Sequence, residues 1–402
     1  MRRDHYKIFS PGKIGSLSLK NRLVRSATWD PSVLQKRRMS EAVLELYGQV
    51  AAGGVGLVIT GDFSAVPAGR LEEAHPDTIP CSYEDVRIEG FGRLVEAVRS
   101  AAPDCHIVAQ VSADYPGLSP SDVASPYTTE RLRPLSAEQI RAIVQCCAEA
   151  IAGVKRDGFV GAQLHAAHGG MLSRFLSPYT NRRDDAYGGS ARNRARIVQE
   201  IVSAARERVG SFPILIKING TDYVPGGTDL SSFSELAREV AQSGVDAIEI
   251  SGGMWDCLVQ GEEELGFPAV PSPESHTRLT SADKESYFLK YAENVALSVP
   301  VILVGGNRDV ERLEAVVRQG KVDFVALCRP LIHEPDLPKR WLEGRGPIGA
   351  RCISCNACLH YMITHLAKGE PQVATCVYRQ DRRRVKEAQQ WLSTWVERNR
   401  VG

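Results

Sequence analysis

Short apolar segments rich in Val and Ile recur along most of the chain, and each is bounded by polar or Gly-containing turns. Segments of this length and composition are typical of buried β-strands. Eight are present, at 23–26, 55–60, 106–111, 159–164, 213–218, 246–250, 300–304 and 323–327. No other feature of the sequence restricts the possible folds as strongly.

The segments between these strands have the spacing of amphipathic helices. The clearest begins at Ser136, with Gln139 three residues later in the pattern of a capping box, and its apolar residues recur at helical intervals to Ile151. Similar patterns cover 41–51, 91–101, 191–208, 232–243, 284–297 and 310–319, and a shorter one lies at 337–342. Strands that alternate with helices predict a parallel sheet, and eight strands close it into an α/β fold, the (β/α)8 or TIM barrel.

A doubly wound open sheet is the weaker alternative, because no G-x-G-x-x-G motif follows the first strand. The length of 402 residues fits one barrel with an appendage. We therefore expect residues 1–345 to form the barrel and residues 346–402 to form a cysteine-containing segment and a C-terminal helix. The basic tail is predicted to dock on the barrel or on a second subunit through one helix face, formed by Val385, Ala388, Leu392 and Trp395 or Val396.

The formal charges of the chain nearly cancel, with 49 Lys and Arg against 48 Asp and Glu. No overall field therefore points to nucleic acid or an anionic membrane surface as a partner. The first residues lack an apolar signal segment, and no window offers the ~18 apolar residues of a membrane span. We expect a cytoplasmic protein, in which ten cysteines do not form a disulfide framework.

In a TIM barrel the functional groups lie at the carboxyl ends of the strands. Here these positions are rich in polar side chains and glycine: Gly61, Gln110, His165, His168, Lys217, Gly305, Gly306, Cys328 and Arg329. Each also has an ordinary structural explanation, because a glycine can simply form a turn and Lys217 can form an ion pair inside the barrel.

Considered together, these residues favour a cofactor site. Glycine-containing turns after the last two strands form the usual phosphate site of barrels, and Arg329 adds a cation there. Lys217 offers positive charge to a cofactor group that becomes anionic, and Gln110 offers a donor and an acceptor to a heterocycle, as a reduced flavin requires. His165 and His168 are predicted to donate hydrogen bonds to an oxyanion. Metal binding by this pair is the weaker alternative, since no third ligand stands at a matching spacing.

Six stretches of sequence are specific enough to indicate a family. They are IFSPGKIGSLSLKNRLVRSAT at 8–28, GGVGLVITG at 53–61, HAAHGGMLSRFLSPYTNRRDDAYGGSARNRARIVQEI at 165–201, ILIKINGTDYVPGG at 214–227, and VGGNRD with CRPLIHEPDLP within 304–338. With these motifs and Gln110 the chain resembles the Old Yellow Enzyme, or NADH:flavin oxidoreductase, family. It is most similar to the branch of 2,4-dienoyl-CoA reductase and trimethylamine dehydrogenase.

This resemblance implies a barrel that binds FMN non-covalently. It also implies a cycle in which NADH or NADPH gives hydride to flavin N5, and N5 gives it to the β-carbon of an activated alkene. We therefore expect an FMN-dependent enzyme that reduces α,β-unsaturated carbonyl compounds or enoyl and dienoyl thioesters. His165 and His168 would bind the substrate carbonyl oxygen. The matching cofactor residues are Ser26, Ala27, Thr28 and Gly61 along the ring, Gln110 and Lys217 at its pyrimidine side, and Gly305, Gly306 and Arg329 at the phosphate, with Cys328 beside them.

Gly170 stands where the family commonly has a Tyr that protonates the substrate. Either another group supplies this proton, with Tyr115 and Tyr179 as candidates, or the reaction is not a simple alkene reduction. Both tyrosines could equally be packing residues. The alternative functions are an oxidative dehydrogenase or demethylase similar to the amine-oxidising relatives, and a flavin protein for electron transfer or redox sensing.

Three cysteines, Cys352, Cys355 and Cys358, are each separated by two residues, and Cys376 follows. Four thiolates suit a [4Fe-4S] cluster, which takes one Cys per iron, and the iron–sulfur branch of the family carries such a motif in this region. Structural zinc is the main alternative, unligated thiols are a third, and Cys376 is the ligand left open. Because the chain ends at Gly402, without the further domains of larger relatives, we expect electrons from docked NAD(P)H or from a separate electron-transfer protein.

Overall fold

The computed structural model describes residues 2–67, 82–124, 126, 132–268, 272–370, 372–381, 383, 385–386 and 390. Eight parallel strands form a closed barrel in which consecutive strands are neighbours and the last pairs with the first. The strands are β1 Leu23–Arg25, β2 Leu57–Ser64, β3 His106–Ser112, β4 Ala162–Ala166, β5 Ile214–Asn219, β6 Ala247–Ser251, β7 Val301–Leu303 and β8 Phe324–Leu327. The predicted (β/α)8 fold is therefore confirmed.

Helices follow the strands around the outside of the barrel. They are α1 Glu41–Ala52, α2 Phe91–Ala101, α3 Ala137–Arg156, α4 Ala191–Val209, α5 Leu230–Ala241, α6 Leu289–Glu293, α7 Val310–Gln319 and α8 Arg329–His333. The capping box of α3 is present, since the Gln139 backbone N–H donates to Ser136 and the Ser136 N–H donates back to the Gln139 side chain. Among the described residues, no helix is long and apolar enough to cross a membrane.

The helix predicted at 284–297 is much shorter in the structure. Only α6 and a short 3-10 turn at Ala282–Lys284 form there. Between them Ser286 has a φ of 51°, and its hydroxyl donates to Asn307 Oδ1 at 2.9 Å. A left-handed residue held by a buried hydrogen bond ends any regular helix, so this segment instead folds over the turn after β7.

The barrel interior changes from apolar to polar along its axis. At the amino ends of the strands a hairpin, Gly12–Ile14 with Leu17–Leu19, closes the barrel, and its side chains pack against interior residues such as Leu215. Side chains two residues further along a strand point the same way. At the carboxyl ends the interior positions are therefore filled by a buried polar set: Ser26, Gln110, Gln163, Lys217 and Glu249.

The cysteine segment follows the barrel and contains the short helices Ala357–Ala367 and Val377–Gln380. Val385 is buried against Ala357 and Val377, which is where the predicted tail helix begins to pack. The rest of that predicted helix face, Ala388, Leu392 and Trp395 or Val396, lies outside the described residues.

Candidate active site

An open cavity with about 1070 Å³ of empty volume lies at the carboxyl ends of the strands. Its position and its few convergent polar groups are typical of a small-molecule site. Most of the residues predicted from the sequence line it together: Ser26, Ala27, Thr28, Gln110, His165, His168, Lys217, Gly305, Gly306, Cys328 and Arg329.

Three residues that the sequence offered for the site do not line this cavity. Gly61 lies behind Thr28, because a Cβ at Gly61 would stand 2.6 Å from the Thr28 carbonyl oxygen, and its N–H donates to the Tyr47 hydroxyl at 3.1 Å. Gly61 therefore packs against the loop that follows β1, outside the cavity. Tyr115 is 8% exposed and packs in the hydrophobic core. Tyr179 is also absent from the lining.

The glycine turn after β7, predicted to hold a phosphate, packs tightly against Tyr287. Gly305 and Gly306 have φ values of 98° and 71°, and added Cβ atoms would meet the Tyr287 ring at 2.6 and 2.8 Å. Only glycine fits this turn at these φ values and this close to Tyr287. Arg329, the first residue of α8, donates to the His276 carbonyl at 2.9 Å and to Asn356 Oδ1 at 2.6 Å.

The Arg329 side chain stays protonated, because its surroundings raise its pKa. Burial acts to lower its pKa, but the nearby Tyr287 and the thiols of Cys352 and Cys358 outweigh that effect and raise it. A permanent cation thus lines the same cavity as the glycine turn, an arrangement that suits a phosphate group.

The floor of the cavity is a continuous hydrogen-bond network. Lys217 Nζ donates to Ser26 Oγ at 2.9 Å and lies 3.3 Å from Glu249 Oε1. The barrel-interior ion pair considered for Lys217 is therefore present, and Lys217 still lines the cavity. Gln110 Nε2 donates to Gln163 Oε1 at 2.7 Å. The sequence analysis missed Gln163 and Glu249, although each lies two residues before a strand-end position, on the same strand face.

The histidine pair forms one wall. The ring centroids of His165 and His168 are 5.1 Å apart, and His168 Nε2 is 2.7 Å from Ser251 Oγ. His168 has a φ of 63°, and its backbone N–H donates to Asn219 Oδ1 at 3.1 Å, which holds this turn. In the described structure His165 Nδ1 is buried without a hydrogen-bond partner.

Both imidazoles are neutral near pH 7. Burial lowers the pKa of His165 to about 4, and burial together with His165 lowers the pKa of His168 well below its usual value. A neutral imidazole has one N–H donor, so the pair can donate to an oxygen on which negative charge develops without carrying charge itself.

Two carboxyl groups that the sequence analysis missed lie near this wall. A side chain at Gly170 would meet Asp114, since a Cβ there would stand 2.8 Å from Asp114 Oδ1, which accepts from the Met171 N–H at 2.7 Å. Asp62 lines the cavity, carried there by a bulge in β2 between Ile59 and Asp62. A carboxyl thus occupies the space that a residue-170 side chain would need.

Both carboxyl groups favour the protonated form more than usual. Desolvation by the surrounding protein raises the pKa of Asp62, while its hydrogen bond with Ser112 and the charge of Lys217 oppose that shift. Desolvation and the nearby Asp62 charge raise the pKa of Asp114. Two acids in one desolvated region hold protons to higher pH than exposed acids do.

A second, smaller cavity of about 330 Å³ lies beneath the cysteine segment. All four predicted ligands, Cys352, Cys355, Cys358 and Cys376, line it, and each is a free thiol. Burial raises the pKa of Cys352, Cys358 and Cys376. Among the residues described, no three His, Cys, Asp or Glu side chains converge on one point as a single metal ion would need.

The two cavities share part of their walls. Arg329, Ile332, Asn356 and Cys358 line both of them. Asn356 links the two sides, because it accepts from Arg329 and its own amide donates to the Ser275 carbonyl at 2.6 Å. The sequence-predicted cofactor and cysteine sites are thus adjacent.

Comparison with known proteins agrees with this geometry. The chain is 31% identical to a metal reductase of Desulforamulus reducens over 368 residues, and 30% identical to an NADH oxidase of Thermoanaerobacter brockii over 368 residues. These alignments cover 88% and 87% of this chain and 52% of each relative. The chain therefore spans about half the length of these curated relatives.

Among solved structures, the fold is similar to that of 2-naphthoyl-CoA reductase in complex with 2-naphthoyl-CoA. The TM-score is 0.73 at 22% identity, over 95% of this chain and 58% of that one. Residues 7–346 match the sequence model of one protein family. As the motifs and the cavity predicted, the chain belongs to the NADH:flavin oxidoreductase / NADH oxidase family.

Proposed function

We propose that this protein uses FMN and NAD(P)H to reduce the C=C bond of an α,β-unsaturated carbonyl compound or of an enoyl or dienoyl thioester. The observation that carries the proposal is the neutral pair His165 and His168 at the wall of a cavity whose floor presents Lys217 and Gln110. Electron transfer alone does not need paired donors for a substrate oxygen.

The residues present fit FMN. The glycine turn of Gly305 and Gly306 and the cation Arg329 would hold its phosphate, and Lys217 with Gln110 would hold its pyrimidine side. In the described structure Glu274, which also lines the cavity, has a buried Oε2 without a partner, as expected where a polar ligand supplies the missing donor. When bound, FMN supplies the hydride chemistry of the reaction.

The chain's own side chains would act on the substrate. His165 and His168 would donate to the carbonyl oxygen, where negative charge accumulates as hydride reaches the β-carbon. Donors already fixed in place, such as His168 held by Ser251 and Asn219, need no reorganisation at that moment.

We further propose Asp62 as the source of the proton that the family's Tyr usually gives. Asp62 lines the cavity, and its raised pKa keeps the carboxyl protonated at higher pH than an exposed Asp. Tyr115, the candidate from the sequence, lies in the core away from this lining.

The cysteine segment, residues 346–402, is proposed to hold a [4Fe-4S] cluster. Four free thiols around one cavity that shares a wall with the cofactor cavity support this assignment over structural zinc. A one-electron centre there would connect FMN to a protein electron donor. Anaerobically purified protein should contain about four irons and four sulfides per chain. Stoichiometric zinc without iron would contradict the proposal.

The function is tested by purifying the protein anaerobically and recording flavin absorbance before and after reconstitution with FMN. The loaded protein is then reduced with NADH or NADPH and titrated with cyclic enones and enoyl-CoA thioesters. We expect bound FMN that these alkenes reoxidise. Failure to bind FMN after reconstitution would contradict the proposal.

Gly170, which stands where the family commonly has the proton-donating Tyr, favours a second candidate, oxidation of an amine, because an oxidation needs no such donor. Flavin reduction by amines, followed by stopped-flow absorbance and faster than reduction by NADH or NADPH, would favour that candidate over alkene reduction.

A further inference from the structure

Glu249 is a fully buried carboxylate in β6 with no exposed surface. Its Oε1 accepts from Ser26 Oγ at 2.6 Å and lies 3.3 Å from Lys217 Nζ, and its Oε2 accepts from Gln163 Nε2 at 2.8 Å. It does not line the cavity itself. A buried ionised group is costly unless it is fully paired, and both oxygens of this one are paired.

These contacts determine how two amide groups are oriented. An ionised carboxylate can only accept hydrogen bonds, so Gln163 must turn its NH2 group toward Glu249. The carbonyl oxygen of Gln163 then faces Gln110. The NH2 group of Gln110 donates to this oxygen at 2.7 Å. Gln110 consequently keeps its carbonyl oxygen free on the side of the cavity.

The same carboxylate sets the charge on the cavity floor. Lys217 is held between Ser26 and Glu249, so its ammonium cannot swing toward bulk water. In a buried site the carboxylate also cancels part of the field that the ammonium exerts on a neighbouring group.

We propose that Glu249 is a positioning residue for the cofactor: it anchors Lys217 and, through Gln163, fixes which end of the Gln110 amide faces FMN. This inference rests on the proposed function, because it takes FMN as the occupant of the cavity. The pyrimidine ring of FMN has one N–H donor between two carbonyl acceptors, and the free oxygen of Gln110 is the complement of that donor.

The test is Glu249→Gln. The new amide has one acceptor oxygen, which Lys217 and Ser26 must occupy, so its NH2 group would face Gln163. Gln163 and Gln110 would both reverse, and Gln110 would present NH2 to the cavity. We expect the dissociation constant for FMN to rise at least about tenfold, measured by fluorescence quenching of added FMN.

Loss of the negative charge beside Lys217 should also favour the reduced, anionic flavin. We expect the affinity for reduced flavin, relative to that for oxidised flavin, to rise about tenfold. This corresponds to a positive shift of about 30 mV in the two-electron midpoint potential, measured against a reference dye. Glu249→Asp keeps the charge and should keep the potential. Glu314→Gln is the matched control, because Glu314 is also buried but accepts from the Lys7 and Ile8 N–H groups outside the cavity.

Gln163→Met provides a second test if Glu249→Gln does not fold. It leaves the Lys217–Glu249 pair but removes the hydrogen bonds that link Glu249 through Gln163 to Gln110. FMN should therefore bind about tenfold more weakly, with little change in its midpoint potential. An unchanged FMN affinity in Gln163→Met would contradict the role of Gln163 in orienting Gln110. An unchanged or more negative potential in FMN-loaded Glu249→Gln would overturn this inference alone. Absence of FMN binding by the wild-type protein would overturn the proposed function as well.

Discussion

At the scale of single residues, burial decides the chemistry of this site. His165 and His168 are ordinary imidazoles in the sequence, but desolvation keeps them neutral, so they can donate hydrogen bonds without adding charge. Lys217 lies beside them, paired with Glu249. The sequence could place the donors at strand ends, but not the desolvation that selects their protonation states.

Asp62 gives a prediction at this scale. Its pKa is raised, so the carboxyl is protonated at low pH and loses its proton only as pH rises through that raised value. If it is the proton donor, alkene reduction should slow as pH rises through this range. Asp62→Asn should lower the rate about 100-fold and remove this pH dependence, measured as reoxidation of reduced enzyme by an enone. A pH profile unchanged in Asp62→Asn would contradict the assignment.

At the scale of elements, the strands and most helices follow from periodicity, and the loops do not. The eight strands and the capping box of α3 were predicted, since they depend on local pattern. The shortening of α6 at Ser286 and the bulge that places Asp62 in the cavity depend on contacts distant in sequence. Tyr115, a candidate proton donor in the loop after the third strand, is packed in the core by such contacts.

The glycine turn after β7 gives the prediction for an element. Gly306→Ala adds a Cβ 2.8 Å from the Tyr287 ring at a φ of 71°, so both the turn and the phosphate site should be disturbed. We expect FMN affinity to fall by about 100-fold, measured by equilibrium titration.

Gly320→Ala is the matched control for this change. Its φ of 77° imposes the same backbone strain of about 1 kcal/mol, but nothing lies within 4 Å of the added Cβ. It should lower thermal stability while leaving FMN affinity unchanged. An equal loss of FMN affinity in both variants would show that strain, and not the phosphate site, explains the effect.

At the scale of the whole molecule, the barrel and the cysteine segment meet at one shared wall. Arg329 belongs to the proposed phosphate site, and it also donates to Asn356 in the segment that carries the thiols. The sequence predicted each site separately from its motif. Their adjacency could not be predicted from the sequence, because it depends on how the segment after α8 folds back over the barrel mouth.

Cys376 tests the cluster at this scale. It lines the small cavity with the other three cysteines, and its sulfur is 3.1 Å from His333 Nδ1. Cys376→Ala should lose most of the iron and sulfide and the broad visible absorbance of the cluster, while FMN remains bound. Cys105→Ala, at a buried free thiol outside both cavities, should keep full iron content. Full iron content in Cys376→Ala would exclude it as a ligand.

The proposed role of His165 and His168 is to donate hydrogen bonds to the carbonyl oxygen of the alkene substrate. It is tested most directly by stopped-flow absorbance of the two half-reactions in wild type and in a His165→Ala/His168→Ala double variant. Reduction of bound FMN by NADH should change only a few-fold. Its reoxidation by an enone or an enoyl-CoA should slow by at least about 100-fold. Equal slowing of both half-reactions, or unchanged reoxidation by the alkene, would contradict the account.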